Sequence, residues 1–415
     1  MTQAGIFSEL ALAGLLWSSS LDNTRSPDFV FVLFTIISLS ILFTLVVSYG
    51  SSQKTFVAKP ILAALLMFWI PFFISLVTPP VTLHEFMRVV PFFVVSMGII
   101  FIIPPAISKH RFLRQLSIFS LIISIIGIPT ALIGAYQIGP LLIESHTSAG
   151  FSVGGIKLNT PSSIFTNSNL FALVSSVGLL SSASLYLSTR KRAHLVVSVI
   201  SGISVVLAFG RASMLSAGVG LFLLIAYRIS NLQSVKKILF TGCSVGIIGF
   251  LMLLNILPGP SFIQEIELHG RPALWSAGVD VIQTNPVFGI GLQSVADALN
   301  PNLSPLYSGK GVHNTYLYFF ITGGIISGIS YVTFVSSMVV RGVFTIQNTR
   351  EMGIYAIFIA IIIIQMFSTS VFFGFSIRSV MTSLVFGYVI LNVSEKAIAN
   401  TDSPEDCHSP GDTAR

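Results

Sequence analysis

Between Leu195 and Tyr227 the chain runs 33 residues with a single charge, Arg211. As one helix this run would reach about 50 Å, well past a ~30 Å hydrocarbon core. Basic clusters flank it on both sides, Arg190–Arg192 before and Arg228–Lys237 after. Both ends therefore lie on the same side of a membrane, and the run crosses twice with its turn near Gly210-Arg211. Such a hairpin requires a bilayer.

The rest of the chain agrees. Apolar residues make up 53% and charged residues 9%, with mean hydropathy +0.87, against about 25% charge in soluble domains. Twelve hydrophobic stretches are expected, at about 4–20, 29–49, 60–78, 89–107, 116–138, 169–187, 195–210, 212–227, 238–257, 314–339, 353–371 and 374–393. Their runs of Leu, Ile, Val and Phe are continuous rather than alternating, which predicts helices and excludes a barrel. Ile6–Trp17 lacks a basic leader and a cleavage site, so it is expected to be a retained span. Cys243 falls in a span and Cys407 in the tail, so the two are not expected to pair.

Charge sets the orientation. With both termini in the cytoplasm, fifteen of the 22 Lys/Arg fall inside and every short internal loop is basic. That distribution suits a membrane and not nucleic acid, despite a net charge of +7. Residues 1–396 read as one transmembrane domain and 397–415 as a short disordered cytoplasmic tail. The outward cations are Arg25, Arg88, Lys157, Arg211, Arg271, Lys310 and Arg378.

One long polar insert, Pro258–His313, separates two spans on the outer face. Within it Leu274, Trp275, Gly278, Val281 and Ile282 share one face of an amphipathic helix. Pro272 suits its first turn and Asn285-Pro286 ends it. Arg271 then stands at a helix N-terminus, where free N–H groups favour an anion. With Trp275 on its apolar face, the helix is expected to lie along the membrane interface. His313 closes the insert, and an imidazole there can take a proton and return it.

Each of these residues has a plainer reading. Arg211 could be reaching to headgroups, Arg271 could be a solvated arginine on a lid, and His313 could start a helix at the interface. Gly323, Gly324 and Gly328 suggest close helix approach. Metal-binding clusters, phosphate-binding glycine loops and a Gly-x-Ser-x-Gly nucleophile motif are absent from the sequence, so no metal or cofactor is expected.

Three stretches together resemble the O-antigen ligase and polymerase family of bacterial membrane glycosyltransferases. Gly210-Arg211-Ala212-Ser213-Met214-Leu215 is similar to the family's Ser-Arg-Gly-x-Trp-Leu, with departures that include Gly210 and Met214. Arg271-Pro272-Ala273-Leu274-Trp275, continuing to Asn285-Pro286-Val287-Phe288-Gly289-Ile290-Gly291, is similar to its Arg-x-x-Leu-Trp and Pro-x-x-Gly-x-Gly turn. His313-Asn314 with the downstream glycines is similar to its His-Asn motif. Phe165-Thr166-Asn167-Ser168-Asn169 resembles the Phe-x-Asn-x-Asn that opens a span in many members.

The resemblance implies an all-α polytopic fold of about 12 spans, like the GT-C glycosyltransferases, with a large outward loop. It implies a polyprenyl (undecaprenyl) diphosphate-linked glycan as donor and a hydroxyl as acceptor, lipid A-core for a ligase, with no metal. His313, Arg211 and Arg271 become the expected catalytic residues. Asn314, Trp275, Lys310, Asn167 and Asn169 become the expected substrate-binding residues. A polymerase extending another carrier-linked unit shares all of this. A transporter of the same lipid-linked sugar is the reading from another class, although the chain shows no strong internal repeat.

Overall fold

The computed structural model describes residues 3–21, 59–77, 83–139, 141–153, 155–230, 232–253, 257–260 and 270–401. The expected span at 29–49, Arg25 and most of the expected tail lie outside them. The described helices are α1 Gln3–Leu21, α2 Lys59–Ser75, α3 Leu83–Phe101, α4 Ile103–Ala106, α5 Lys109–Gly127 and α6 Thr130–Ile133. After a small sheet come α7 Ser168–Thr189, α8 Arg192–Leu207, α9 Arg211–Ile229 and α10 Leu232–Leu253. The chain ends in α11 Arg271–Thr284, α12 Val295–Leu299, α13 Thr315–Val343, α14 Thr349–Phe367 and α15 Ile377–Thr401.

Among the described residues, eight helices are long and apolar enough to cross a membrane, and two shorter ones, α2 and α8, are apolar as well. This is a polytopic membrane protein. Buried positions differ sharply between spans: 83% of the α7 window is covered by protein but only 11% of the α10 window. Thus α7 is a central helix, packed against α5, α8, α9 and α14, while α10 turns apolar residues such as Val245 and Ile247 outward. The 195–227 run does divide into two apolar helices, α8 and α9, with the turn at Ala208–Gly210.

Two expectations need correction. The stretch expected as a span over 116–138 ends early: α5 stops at Gly127, α6 at Ile133, and Ala135–Ile138 is a strand. The fold is also not purely helical. β1 Ala135–Ile138, β2 Leu141–Val153 and β3 Ile156–Ser163 form an antiparallel sheet in the order β1-β2-β3. Its register pairs Tyr136 with Ile143 and Phe151 with Leu158. The sheet is tied to the end of α5, where Tyr136 donates to the Ile126 carbonyl and Ser163 to that of Ile123. The last helix runs to Thr401, five residues into the stretch read as tail.

At the start of α5, charges are paired. Lys109 bridges Glu351 and Glu395 at 2.9 Å each, and Glu9 takes Arg111 at 3.1 Å and Arg114 at 2.6 Å. A cleft of about 390 Å³ lined by Lys109, His110, Arg350 and Glu395 lies at this end of the bundle. The opposite end, where α7, α9 and α13 begin, is built differently.

Candidate active site

The insert forms α11 with the expected bounds, and Leu274, Trp275, Gly278 and Val281 are buried on one face. That face meets protein, not the membrane surface. A side chain at Gly278 would touch Leu317 and Ile321 of α13, and the Trp275 ring lies 6.0 Å from that of Phe250. The apolar stripe that the sequence assigns to the interface is thus satisfied by the first turns of α13.

Helix α13 is broken. Gly324 sits at φ 62, ψ −163, roughly 14 Å along from its start. An unbroken helix would pair the Ile321 carbonyl with the Ile325 N–H. Here the turn after α11 takes both: Ile290 N–H donates to Ile321 at 3.0 Å, and Ile325 N–H donates to Pro286 at 2.8 Å. Gly291 N–H adds a bond to Thr322 at 2.8 Å. Irregular backbone at such depth is tolerated only where protein restores its hydrogen bonds, and this turn does so.

Two motif glycines follow directly. A Cβ on Gly289 would stand 2.5 Å from the Ile321 oxygen, and one on Gly324 2.2 Å from the Val287 oxygen. At Gly324 helix–turn packing takes the place of the expected helix–helix approach, Gly323 lies against Ser327 of its own helix and Phe72 of α2, and Gly328 makes room for Phe320 of its own helix. Arg88 of α3 secures the far end of the turn, donating to the Leu292 carbonyl at 3.1 Å.

This arrangement delivers His313. The residue before it, Val312, is fully buried and accepts from the Trp275 indole N–H at 3.0 Å. The residue after it, Asn314, caps α13 by accepting from Leu317 N–H at 2.9 Å and donates to the Met366 carbonyl at 3.0 Å. Between these anchors His313 adopts φ +50. Left-handed backbone in a non-glycine residue costs about 1–3 kcal/mol and persists only where its surroundings impose it. Both neighbours impose it here.

Cations gather around the imidazole. Arg211 is the first residue of α9, Arg271 the first of α11, and Arg378 lies in the opening turn of α15. His313 feels the charges of Arg271, Arg378 and Lys310, and Arg271 feels that of Arg211. Burial first, then these cations, hold the His313 imidazole below its ordinary pKa. His313 nevertheless keeps an exposed surface, so it stands in a recess with protein on most sides and one open face. Burial and then Arg211 lower the Arg271 pKa in the same way. Its Nε is buried without a hydrogen-bond partner.

The expected residues divide accordingly. Arg271 and Lys310 act on His313, Arg211 acts on Arg271, and Asn314 adjoins His313 in the chain; Lys310 is exposed with its ammonium 5.1 Å from the centre of the Tyr307 ring. Trp275 is buried with its indole N–H engaged, so it holds the wall of the recess rather than presenting a ring to it. Asn167 caps α7, accepting from Asn169 N–H at 2.7 Å, and Asn169 is exposed. Further along α7, Ala172 packs against Gly210 beside Arg211, and the Ser176 hydroxyl donates to the Ser213 carbonyl at 3.3 Å. Met214, where the family often has Trp, is partly exposed, so that departure leaves no gap in the core.

Arg378 was missed as a site residue. Its one sequence signal is the one that marks Arg211, a lone charge at the head of an apolar run.

Arginines thus stand in the first turns of three helices, α9, α11 and α15, and His313 stands just ahead of a fourth, α13. That is the wrong end of a helix for a positive charge unless an anion is bound. No carboxylate among the described residues acts on His313 or Arg271. Among the described residues no cluster of three or more His, Cys, Asp or Glu could hold a metal. No curated protein matches this chain. Residues 196–332, which hold Arg211, Arg271 and His313, match the O-antigen ligase family model, which bears out the resemblance of the motifs and, broadly, a function of the O-antigen ligase or polymerase type.

Proposed function

We propose that the chain is a metal-independent glycosyltransferase that moves a glycan from a polyprenyl diphosphate carrier to an acceptor hydroxyl, with lipid A-core as acceptor. The observation that supports this most is the cationic recess itself: three arginines and a histidine, no balancing carboxylate among the described residues, and a buried Arg271 Nε with no partner. Arginine suits a diphosphate because its planar fork binds oxygens in pairs and stays charged.

In the proposed step the acceptor oxygen attacks the anomeric carbon and its proton passes to the His313 imidazole. The bond from that carbon to the diphosphate oxygen breaks, and the electron pair leaves with the diphosphate. Arg211 and Arg271 stabilise the charge that develops there, as a metal ion does elsewhere. His313 meets the acceptor neutral, since its surroundings oppose protonation. Asn314 fixes the backbone on which the imidazole stands, and Lys310 offers a further charge at the rim. The positive-inside distribution supports a cytoplasmic-membrane protein with both termini inside and the recess on the outer face.

The test is transfer by the purified protein, using a polyprenyl-diphosphate glycan with and without lipid A-core. Product on lipid A-core, formed only when it is supplied, is the expected result. Longer carrier-linked glycan without lipid A-core would replace the ligase reading with a polymerase. Donor binding with no transfer in either arm would put a transporter first.

A further inference from the structure

We infer that Arg378 is a positioning residue for His313, acting both through the Met366–Ser370 connection and through the charge it places at the start of α15. This rests on the reading of His313 as the base.

The connection between α14 and α15 is the floor on which the His313 segment sits. Met366 accepts from Asn314, and the Ser368 carbonyl accepts from the Thr315 hydroxyl at 2.9 Å. Ser370 N–H returns a bond to that same hydroxyl at 2.8 Å. Arg378 holds the floor from below: one guanidinium nitrogen, Nη1, donates to the Thr369 carbonyl at 2.6 Å and to the Ser368 hydroxyl at 3.3 Å. A path of hydrogen bonds therefore leads from Arg378 through Ser368 to Thr315, while Asn314 is tied to Met366 of the same connection; these are the two residues that follow His313.

Tying a loop does not by itself require a cation. A glutamine could donate to the same carbonyl without placing a charge at a helix start, where the dipole opposes it. No carboxylate pairs with Arg378 among the described residues. What the charge reaches is His313, which Arg271 of α11, Arg378 of α15 and Lys310 of the preceding loop all act upon. With Arg271 assigned to the leaving group and Lys310 exposed at the rim, Arg378 is the cation fixed by the protein's own bonds. It opposes proton uptake before the acceptor arrives, and the connection it holds keeps the ring in place.

Two measurements on the full-length protein test this, and they fail separately. In substrate-free protein, the His313 imidazole is titrated by NMR in the wild type, Arg378→Gln and Arg378→Lys, with His313→Gln identifying its signal. The midpoint should rise in the glutamine variant and stay near the wild type in the lysine variant. An unchanged midpoint in Arg378→Gln overturns the electrostatic half of the proposal.

In the transfer assay, Arg378→Ala, which removes the tie together with the charge, should lower kcat about tenfold to a hundredfold, as a misplaced catalytic group does, with donor KM within about twofold. A raised donor KM with kcat intact would make Arg378 a donor-binding residue and overturn the proposal. Thr315→Val loosens the same floor without touching the charge. It should lower kcat with no change in the midpoint, which keeps the idea testable if the arginine variants do not fold. A shifted midpoint with no transfer by any form would sink the glycosyltransferase reading while upholding the coupling of Arg378 to His313.

Discussion

Trp275 holds Val312: its indole N–H meets that carbonyl at 3.0 Å, one residue ahead of His313. The bond links the amphipathic helix of the insert to the point where the insert rejoins the membrane bundle. Trp275→Phe keeps an aromatic ring in the wall but removes the donor, leaving a buried carbonyl unpaired at a cost of about 1–3 kcal/mol. Because the loss falls beside His313, kcat should drop about tenfold while donor KM changes little. A rise in KM alone would instead mean that the ring touches the glycan.

The helix break makes a steric prediction. Gly289→Ala and Gly324→Ala each place a methyl group against backbone atoms that cannot move aside, at positive φ in both cases. Either should destabilise the protein by about 3 kcal/mol or more, seen as a lower unfolding temperature in detergent and loss of transfer. Gly311→Ala, which meets nothing within 4 Å, should stay within about 0.5 kcal/mol of the parent. Equal tolerance at all three positions would contradict the docking of the turn into the break.

The surroundings of His313 fix the sign of the pH dependence. Its pKa is lowered from the ordinary 6.5 by burial, then by Arg271, Arg378 and Lys310. The neutral base is therefore fully present above 6.5 and persists below it, and kcat/KM falls only once the pH passes the lowered value. Arg271→Gln, although impaired in rate, should move the acid limb upward. His313→Ala should abolish transfer and leave membrane insertion intact. An acid limb at or above 6.5 in the wild type would count against the base assignment.

Inorganic pyrophosphate probes the recess without a lipid. It should raise the thermal midpoint of the native protein, as any ligand selective for the folded state does. Arg211→Gln and Arg271→Gln should each remove most of that shift, whereas Arg228→Gln, at the far end of α9 from Arg211, should retain it. Chelation of divalent ions should leave both the shift and transfer unchanged. Retention of the shift in Arg271→Gln would separate that arginine from the anion.

Some of this was open to reading from residues alone. The hairpin turn at Gly210-Arg211 followed from length and flanking charge, and the α11 face followed from the spacing of Leu274, Trp275, Gly278 and Val281. Both signals are local and repeat every few residues. What that face packs against was not legible, because an apolar stripe fits a membrane surface or a neighbouring helix equally well.

The sheet escaped for a related reason. Its first strand continues an apolar run that had already been helical, and only the turns after Ile133 redirect it. Arg378 lies outside the three motifs and reaches the recess solely through the fold. The glycines of the insert and of α13 could each be noticed, but that one set exists to receive the other is a relation between segments more than 30 residues apart.

The cationic helix starts have a cost in time as well as a benefit in charge. Whatever draws a diphosphate into this recess acts equally on the diphosphate that remains once the glycan has gone. With so many fixed positive ends, the emptied carrier is held by the same field that admitted the loaded one. On the proposed chemistry, turnover is then paced by departure of the carrier rather than by bond formation. A burst of first product followed by a slower steady rate is the kinetic mark that these helix starts would leave.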